Sequence, residues 1–399
     1  MPPLRRRRGR PASASAAAPY RRRVFARSHH VADVVRCSAA CRRWARVVAA
    51  NSAVISNALP PVGRFLRRAA LGIFHQDKDA PTAHTRSPMR FVPDPAAPDP
   101  QLAQRQWPPQ FMHSRPVASR NGLLVLELQP DCHRDGLRLV VCNPITGREV
   151  TLPALCGREK LRDYGCAVIT GHDQDPPRSL AYLRVLLMLL LRHWPVGAEA
   201  KTGFKVSGWK LRLSQAVVLR GTAFWPLDNG ALGVRLGPES TMEPHLLPYC
   251  VPHCWPEKRL LGVSPDNRRL FFIYFGVGDD ILVAKISYFA IDGDDISSGR
   301  QEGSRLEEAV LMHQMKMTRA DPHVQDTLKL RWFCDMSGLV LFTLGQGSGH
   351  NGIFALNLQT RMVNKVADGE CDSWKNIVGY EMDMAAYLAS AAHRSERKI

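Results

Sequence analysis

A mainly β, propeller-like domain preceded by a short α-helical segment is the fold class predicted for this 399-residue chain. Three observations predict it. From Ser119 onward, short apolar or alternating runs follow one another, separated by Gly, Asn, Asp and Pro. A strand-and-turn theme recurs among those runs. Between Ser28 and Leu71, by contrast, apolar residues return in steps of three and four.

The chain is 45% hydrophobic and 23% charged, the composition of an ordinary soluble globular protein, which excludes bulk disorder. Its length allows roughly two or three domains. The net charge of +18 is unevenly shared. Residues 1–70 hold 16 Arg, no Lys and one acid, Asp33, so they carry +15 and the other 329 residues only +3. The body is almost neutral, which gives no ground for a basic nucleic-acid groove across it.

Residues 1–27 read as a disordered Arg-rich tail. Residues 1–32 have nine Arg and no acid, with an Ala/Ser/Pro stretch from Pro11 to Pro19 and no apolar period. Four readings compete. Arg5–Arg8 and Arg21–Arg23 fit a nuclear-import signal. The acid-free, Ser-rich start also fits an organelle transit peptide. Arg8-Gly9-Arg10-Pro11 resembles the core of an AT-hook, and the plain alternative is a solvated tail. The expected location is nucleus or cytoplasm, with chloroplast or mitochondrion behind them.

Residues 28–72 form the helical segment. Val31, Val34, Val35 and Cys37 begin an apolar stripe that continues through Cys41, Trp44, Val47 and Val48, while Arg36, Arg42, Arg43 and Arg46 turn outward. A second helical stretch is expected over Val54–Leu71, broken at Pro60-Pro61. Helices this short bury little surface alone and need a partner. Residues 73–118 are rich in proline, including Pro81, Pro88, Pro93, Pro95, Pro98 and Pro116. They read as a semi-rigid connector.

In the body, residues 119–380, strands are expected at Leu123–Leu128, Leu137–Cys142, Glu149–Leu152, Tyr164–Ile169, Phe204–Leu213, Ala216–Leu219, Ala223–Leu227 and Ala231–Leu236. Further strands are expected at Arg269–Tyr274, Ile281–Ile291, Leu328–Cys334, Leu339–Leu344, Ile353–Leu358 and Met362–Val366. Such short spacing requires antiparallel pairing. So many short strands suit a propeller or a large sandwich. The apolar run Leu180–Leu191, interrupted by Arg184, is too short to span a membrane and reads as a buried helix or strand. Leu137–Asn143 followed by Thr146-Gly147-Arg148, and Gly352–Asn357 followed by Gln359-Thr360-Arg361, are two copies of the recurring theme, with Gly221–Trp225 and Ala231–Leu236 a third. The repeat favours the propeller. Residues 381–399 are expected to form a C-terminal helix and tail.

Chemical motifs are sparse. Gly347-x-Gly349-x-x-Gly352 matches a dinucleotide fingerprint in letters, but the strand-like Ile353–Leu358 stands where a helix is needed. His245, Cys250, His253 and Cys254 lack a second ligand pair at zinc spacing. Asp292-Gly293-Asp294-Asp295 reads as a turn. No metal, cofactor or covalent catalysis is expected, and a propeller enzyme would need converging acids that the sequence does not offer.

Asp33-Val34-Val35-Arg36-Cys37, Cys41-Arg42-Arg43-Trp44 and Val47-Val48 resemble the middle and end of an F-box; its opening helix is matched before Ser28 only at Val24, Phe25, Ala26 and Arg27. Cys142-Asn143-Pro144-Ile145-Thr146-Gly147, Arg220-Gly221-Thr222-Ala223-Phe224-Trp225 and the closing Tyr380-Glu381-Met382-Asp383 with Tyr387-Leu388 resemble the kelch-like F-box-associated domain of grass F-box proteins. The resemblance implies a substrate receptor of a cullin-RING ubiquitin ligase. Val34, Val35, Cys41, Arg42, Arg43 and Trp44 would then meet a Skp-type adaptor, which joins the chain to a cullin, while the β domain holds a target protein. A binding module for protein or glycan that has lost ligase recruitment is the alternative. No membrane partner is expected, and nucleic acid only through the basic tail.

Overall fold

The computed structural model describes residues 31–58, 68–77, 88–93, 109–128, 136–155, 164–173, 183–189, 215–227, 230–236, 242–248, 259–264, 269–278, 281–290, 307–316, 327–345, 351–370 and 374–398. The chain divides into a helical unit, Met1–Pro61 with Met384–Ile399, and a β unit, Val62–Asp383. Among the described residues no helix is long and apolar enough to cross a membrane.

The helical unit contains α1 (Val31–Ala40), α2 (Arg42–Ala50), α3 (Ser52–Ala58) and, from the far end of the chain, α4 (Met384–Lys398). Asn51 separates α2 from α3. Its backbone N–H and side-chain amide donate to the Val47 carbonyl at 3.1 and 2.8 Å, which closes α2. Its own carbonyl accepts the N–H of Ile55 at 2.9 Å, which opens α3. The helical pattern expected over Val54–Leu71 ends at Ala58, and Arg68 already belongs to a strand.

Among the described residues, the β unit is mainly β, built from six small antiparallel sheets. One contains β1 (Arg68–Asp77) and β2 (Met89–Pro93), with the last strand, β21 (Trp374–Asp383), beside β1. The next holds β3 (Arg115–Arg120), β4 (Leu123–Glu127), β5 (Leu139–Asn143) and β6 (Arg148–Thr151), and a two-stranded sheet follows with β7 (Tyr164–Thr170) and β8 (Leu183–Leu189). Then come β9 (Val217–Leu219), β10 (Thr222–Leu227), β11 (Gly230–Leu236) and β12 (Met242–Pro248). β13 (Arg259–Val263), β14 (Arg269–Gly278), β15 (Ile281–Ala290) and β16 (Glu307–Lys316) make the fifth sheet. β17 (Lys329–Cys334), β18 (Leu339–Leu344), β19 (Gly352–Asn357) and β20 (Val363–Ala367) make the last. Successive lead strands are neighbours: β3 lies by β7, β7 by β9, β9 by β13, and β13 by β17. β21 lies beside both β17 and β3, so the series returns to its start.

The apolar cores sit between successive sheets. Val125, Val141, Tyr164 and Val168 form one cluster, Ile169, Trp225 and Leu232 a second, and Phe224, Phe271, Phe333, Phe342 and Phe354 belong to a third. Phe224 faces Gly233 and Phe271 faces Gly262 across neighbouring strands, so each ring lies over a backbone that carries no Cβ. His75 of β1 is buried with its ring 4.4 Å from that of Trp374, and burial lowers its pKa to about 4, leaving it neutral at physiological pH.

The connector expected over residues 73–118 is corrected: β1, β2 and the start of β3 occupy part of it. The prolines fall where a strand tolerates them. Pro93 ends the edge strand β2, and Pro116 sits at a bulge in the β3–β4 pairing. The run Leu180–Leu191 contains the strand β8, paired with β7, and not a helix. The boundary expected at residue 380 moves, because β21 runs through to Asp383. Phe204–Leu213 lies outside the described residues.

The two turns singled out as repeats have the same hydrogen bonds. Asn143 Oδ1 accepts the N–H groups of Ile145 and Thr146 at 2.9 and 3.0 Å, and Asn357 Oδ1 accepts those of Gln359 and Thr360 at 2.9 and 3.0 Å. Each turn closes with an N–H bond to the Asn carbonyl, from Gly147 and from Arg361. Asn143→Ala and Asn357→Ala should each cost about 1 kcal/mol in urea unfolding. The double variant should cost close to the sum, since the turns lie in different sheets.

Candidate functional site

The six residues expected to meet an adaptor lie on α1, α2 and the junction between them. Cys41 adopts an extended conformation, with φ −165° and ψ 160°, and its carbonyl accepts the first α2 bond from the Ala45 N–H at 3.0 Å. Arg42 and Arg43 follow on the exposed side, and Val35, Cys41 and Trp44 are half-buried. Val34 departs from expectation. It is 0% exposed, and with Ser38 one helical turn later it forms the inward face of α1. The inward stripe runs through Val34, Ala45, Val47 and Val48. A residue on that stripe is unavailable to a second protein while the unit is folded this way.

The second concentration of polar chemistry lies at the C-terminal ends of β3, β7, β17 and β21. Asn121 and Gly122 have φ of 45° and 77°, forming the left-handed two-residue turn that joins β3 to β4. The turn is held to β21 three times: Asp383 N–H donates to Asn121 Oδ1 at 2.9 Å, Gly122 N–H to the Glu381 carbonyl at 2.8 Å, and Tyr380 Oη to the Gly122 carbonyl at 2.9 Å. On its other side the Glu381 carboxylate accepts the Met336 and Ser337 N–H groups, at 2.7 and 2.8 Å, from the β17–β18 turn.

Arg120 completes this cluster. Its guanidinium donates to Asp173, with Nε 3.1 Å from both carboxylate oxygens, and to Asp335. Asp173 also accepts the Thr170 N–H and hydroxyl at 2.7 and 2.9 Å. Burial works against the Asp173 charge, but Arg120 and the Thr170 bonds outweigh it and hold the carboxyl below its usual range. Burial pushes the Glu381 carboxyl up, against the pull of the Met336 and Ser337 N–H groups.

At the other end of β3, Arg115 Nε and Tyr164 Oη both donate to Glu127 Oε2, at 2.6 and 2.7 Å. Burial pushes the Tyr164 hydroxyl up and the neighbouring Cys166 thiol up to about 12, so neither is ionised at physiological pH. In both clusters the carboxylates are held by arginine, hydroxyl or backbone N–H groups. The arrangement fixes strands and turns.

The other motifs are partly described. The glycine-rich loop before Gly352 joins the antiparallel neighbours β18 and β19, so no helix N-terminus follows it. His245 lies in β12, while Cys250, His253, Cys254 and Asp292–Asp295 lie outside the described residues. The buried cluster around Arg120 was not anticipated from sequence, because its members are separated by up to 262 residues. The Asn121-Gly122 pair between two apolar runs was its one local signal.

No family model and no curated protein matches the chain. Among solved structures the chain is similar to one from a structural and mechanistic analysis of two prolyl endopeptidases, at 14% identity and a TM-score of 0.16. It covers 82% of this chain and the chain spans only 40% of that structure, a likeness too slight to carry an argument.

Arg120→Ala should leave Asp173 and Asp335 without their cation and cost about 3–5 kcal/mol, measured by denaturant unfolding. In the wild type the lowered Asp173 pKa contributes stability that is complete above the ordinary aspartate range and is lost as pH falls through the folded value. The variant should lack that part of the acid dependence.

Proposed function

We propose that the chain is a non-catalytic receptor of the F-box type: the helical unit recruits a Skp-type adaptor and its cullin-RING ligase, and the β unit holds a target protein. The observation that carries this reading is the outward side of α2. Arg42 and Arg43 stand exposed directly after the extended Cys41, beside the half-buried Trp44 and Val35. Two exposed arginines just before a half-buried tryptophan suit a protein surface with an apolar centre and an acidic rim.

The β unit is read as a six-bladed propeller of the kelch-like F-box-associated type. Each sheet is a blade, and β21 closes the ring by joining β1 and β2. The return of the lead-strand neighbours from β17 through β21 to β3 supports this reading. So does the repeated Asn turn at the ends of β5 and β19. The loops between blades would hold the target.

A second reading is favoured by the burial of Val34, which removes one of the six anchors. In it the chain is a binding module, for protein or glycan, that has lost ligase recruitment.

The test is capture of a purified Skp-type adaptor by the full-length chain at micromolar concentration. Capture is expected, and Trp44→Ala should weaken it by about ten- to a hundredfold, as expected of an interface tryptophan. Arg42→Glu with Arg43→Glu should slow association and reduce its salt dependence. A wild-type chain that captures no adaptor would end the receptor reading and leave the binding module.

A further inference from the structure

From the packing of the helical unit we infer that α4 is the fourth helix of the adaptor-docking unit, so that partner capture depends on the last residues of the chain; this rests on the receptor reading above. α1, α2 and α3 have 10, 9 and 7 residues. Isolated helices below about 12–15 residues are marginal in water, so their order must come from packing.

α4 supplies the packing. It is 15 residues long and lies against α1, α2 and α3. Met384, Tyr387, Leu388, Ala391 and Ala392 are buried at steps of three and four, forming one continuous stripe. That stripe and the buried Val34, Ala45, Val48 and Ile55 make up the core of the unit. The small Ala45, Ala391 and Ala392 allow close approach of the backbones.

α4 also begins without a linker. Asp383 ends β21 and Met384 starts the helix. β21 is anchored just upstream through Tyr380 and Glu381. Arg68, at the start of β1, pairs with Asp383 at the end of β21.

The experiment compares hydrogen exchange and adaptor capture for the full-length wild type, Leu388→Asp and Leu388→Ala. In Leu388→Asp, peptides covering residues 31–58 should exchange at least about a hundredfold faster, while those covering β10, β14 and β18 keep their protection. Adaptor capture should be lost, and Leu388→Ala should fall between on both measures. Unchanged protection of residues 31–58 would overturn the inference. So would tighter capture by Leu388→Asp, which would make α4 a cover over the docking face. If the wild type itself captures no adaptor, the receptor reading fails and so does the docking role, whereas the exchange result still decides whether α4 holds the helices.

Discussion

The antiparallel pairing of β1 with β21 is the constraint on which the rest of the β unit depends. It joins Arg68–Asp77 to Trp374–Asp383, strands about 300 residues apart, and so closes a very long loop. The entropy of that closure is offset where the strands meet. Phe74 and Tyr380 are fully buried with ring centroids 5.4 Å apart, and Phe91 of β2 packs 4.7 Å from Phe74. Asn376 donates to Gln76 at 2.8 Å, and Gln76 to the Ser114 carbonyl at 3.1 Å. Without β21 the lead strands β3 and β17 would each lose a neighbour, and the Arg120 cluster would lose Glu381.

Buried charge in this fold specifies contacts more than it adds stability. Ionic groups taken out of water recover their desolvation cost only when every partner is in place. Arg120 requires Asp173 from the end of β7 and Asp335 from the end of β17, and Glu381 requires the β17–β18 turn. A wrong order of sheets would strand these groups. Gly379 applies the same discipline through size, since a Cβ there would meet Cys334 Sγ at 2.4 Å and the Trp332 ring at 2.7 Å. Only a glycine lets β21 approach β17 this closely.

What was legible in the sequence was local. Asn143-Pro144-Ile145-Thr146-Gly147 and Asn357–Arg361 announced their turns because the side-chain acceptor and its N–H donors lie within a few residues. Strands flanked by such turns, such as Leu139–Asn143 and Gly352–Asn357, were therefore readable, whereas Met242–Pro248, Arg259–Val263 and Glu307–Lys316 were not expected. β1 and β2 were hidden by the surrounding prolines, and β21 by the distance to its partner. On α1 and α2, Arg42 and Arg43 are exposed as the helical period implies, whereas Val34 is fully buried and Trp44 half-buried. A helical period names a face, but which face turns inward is decided by the helix packed against it, and α4 arrives from the far end of the chain.

The most direct test is native-state hydrogen exchange of the full-length chain in low denaturant, followed strand by strand. If the β1–β21 pair holds the unit together, its slowest amides should exchange only through global unfolding. They would then share one opening free energy with the slowest amides of β10, β14 and β18. Opening of β1 and β21 at distinctly lower free energy, while the other sheets remain protected, would contradict the account.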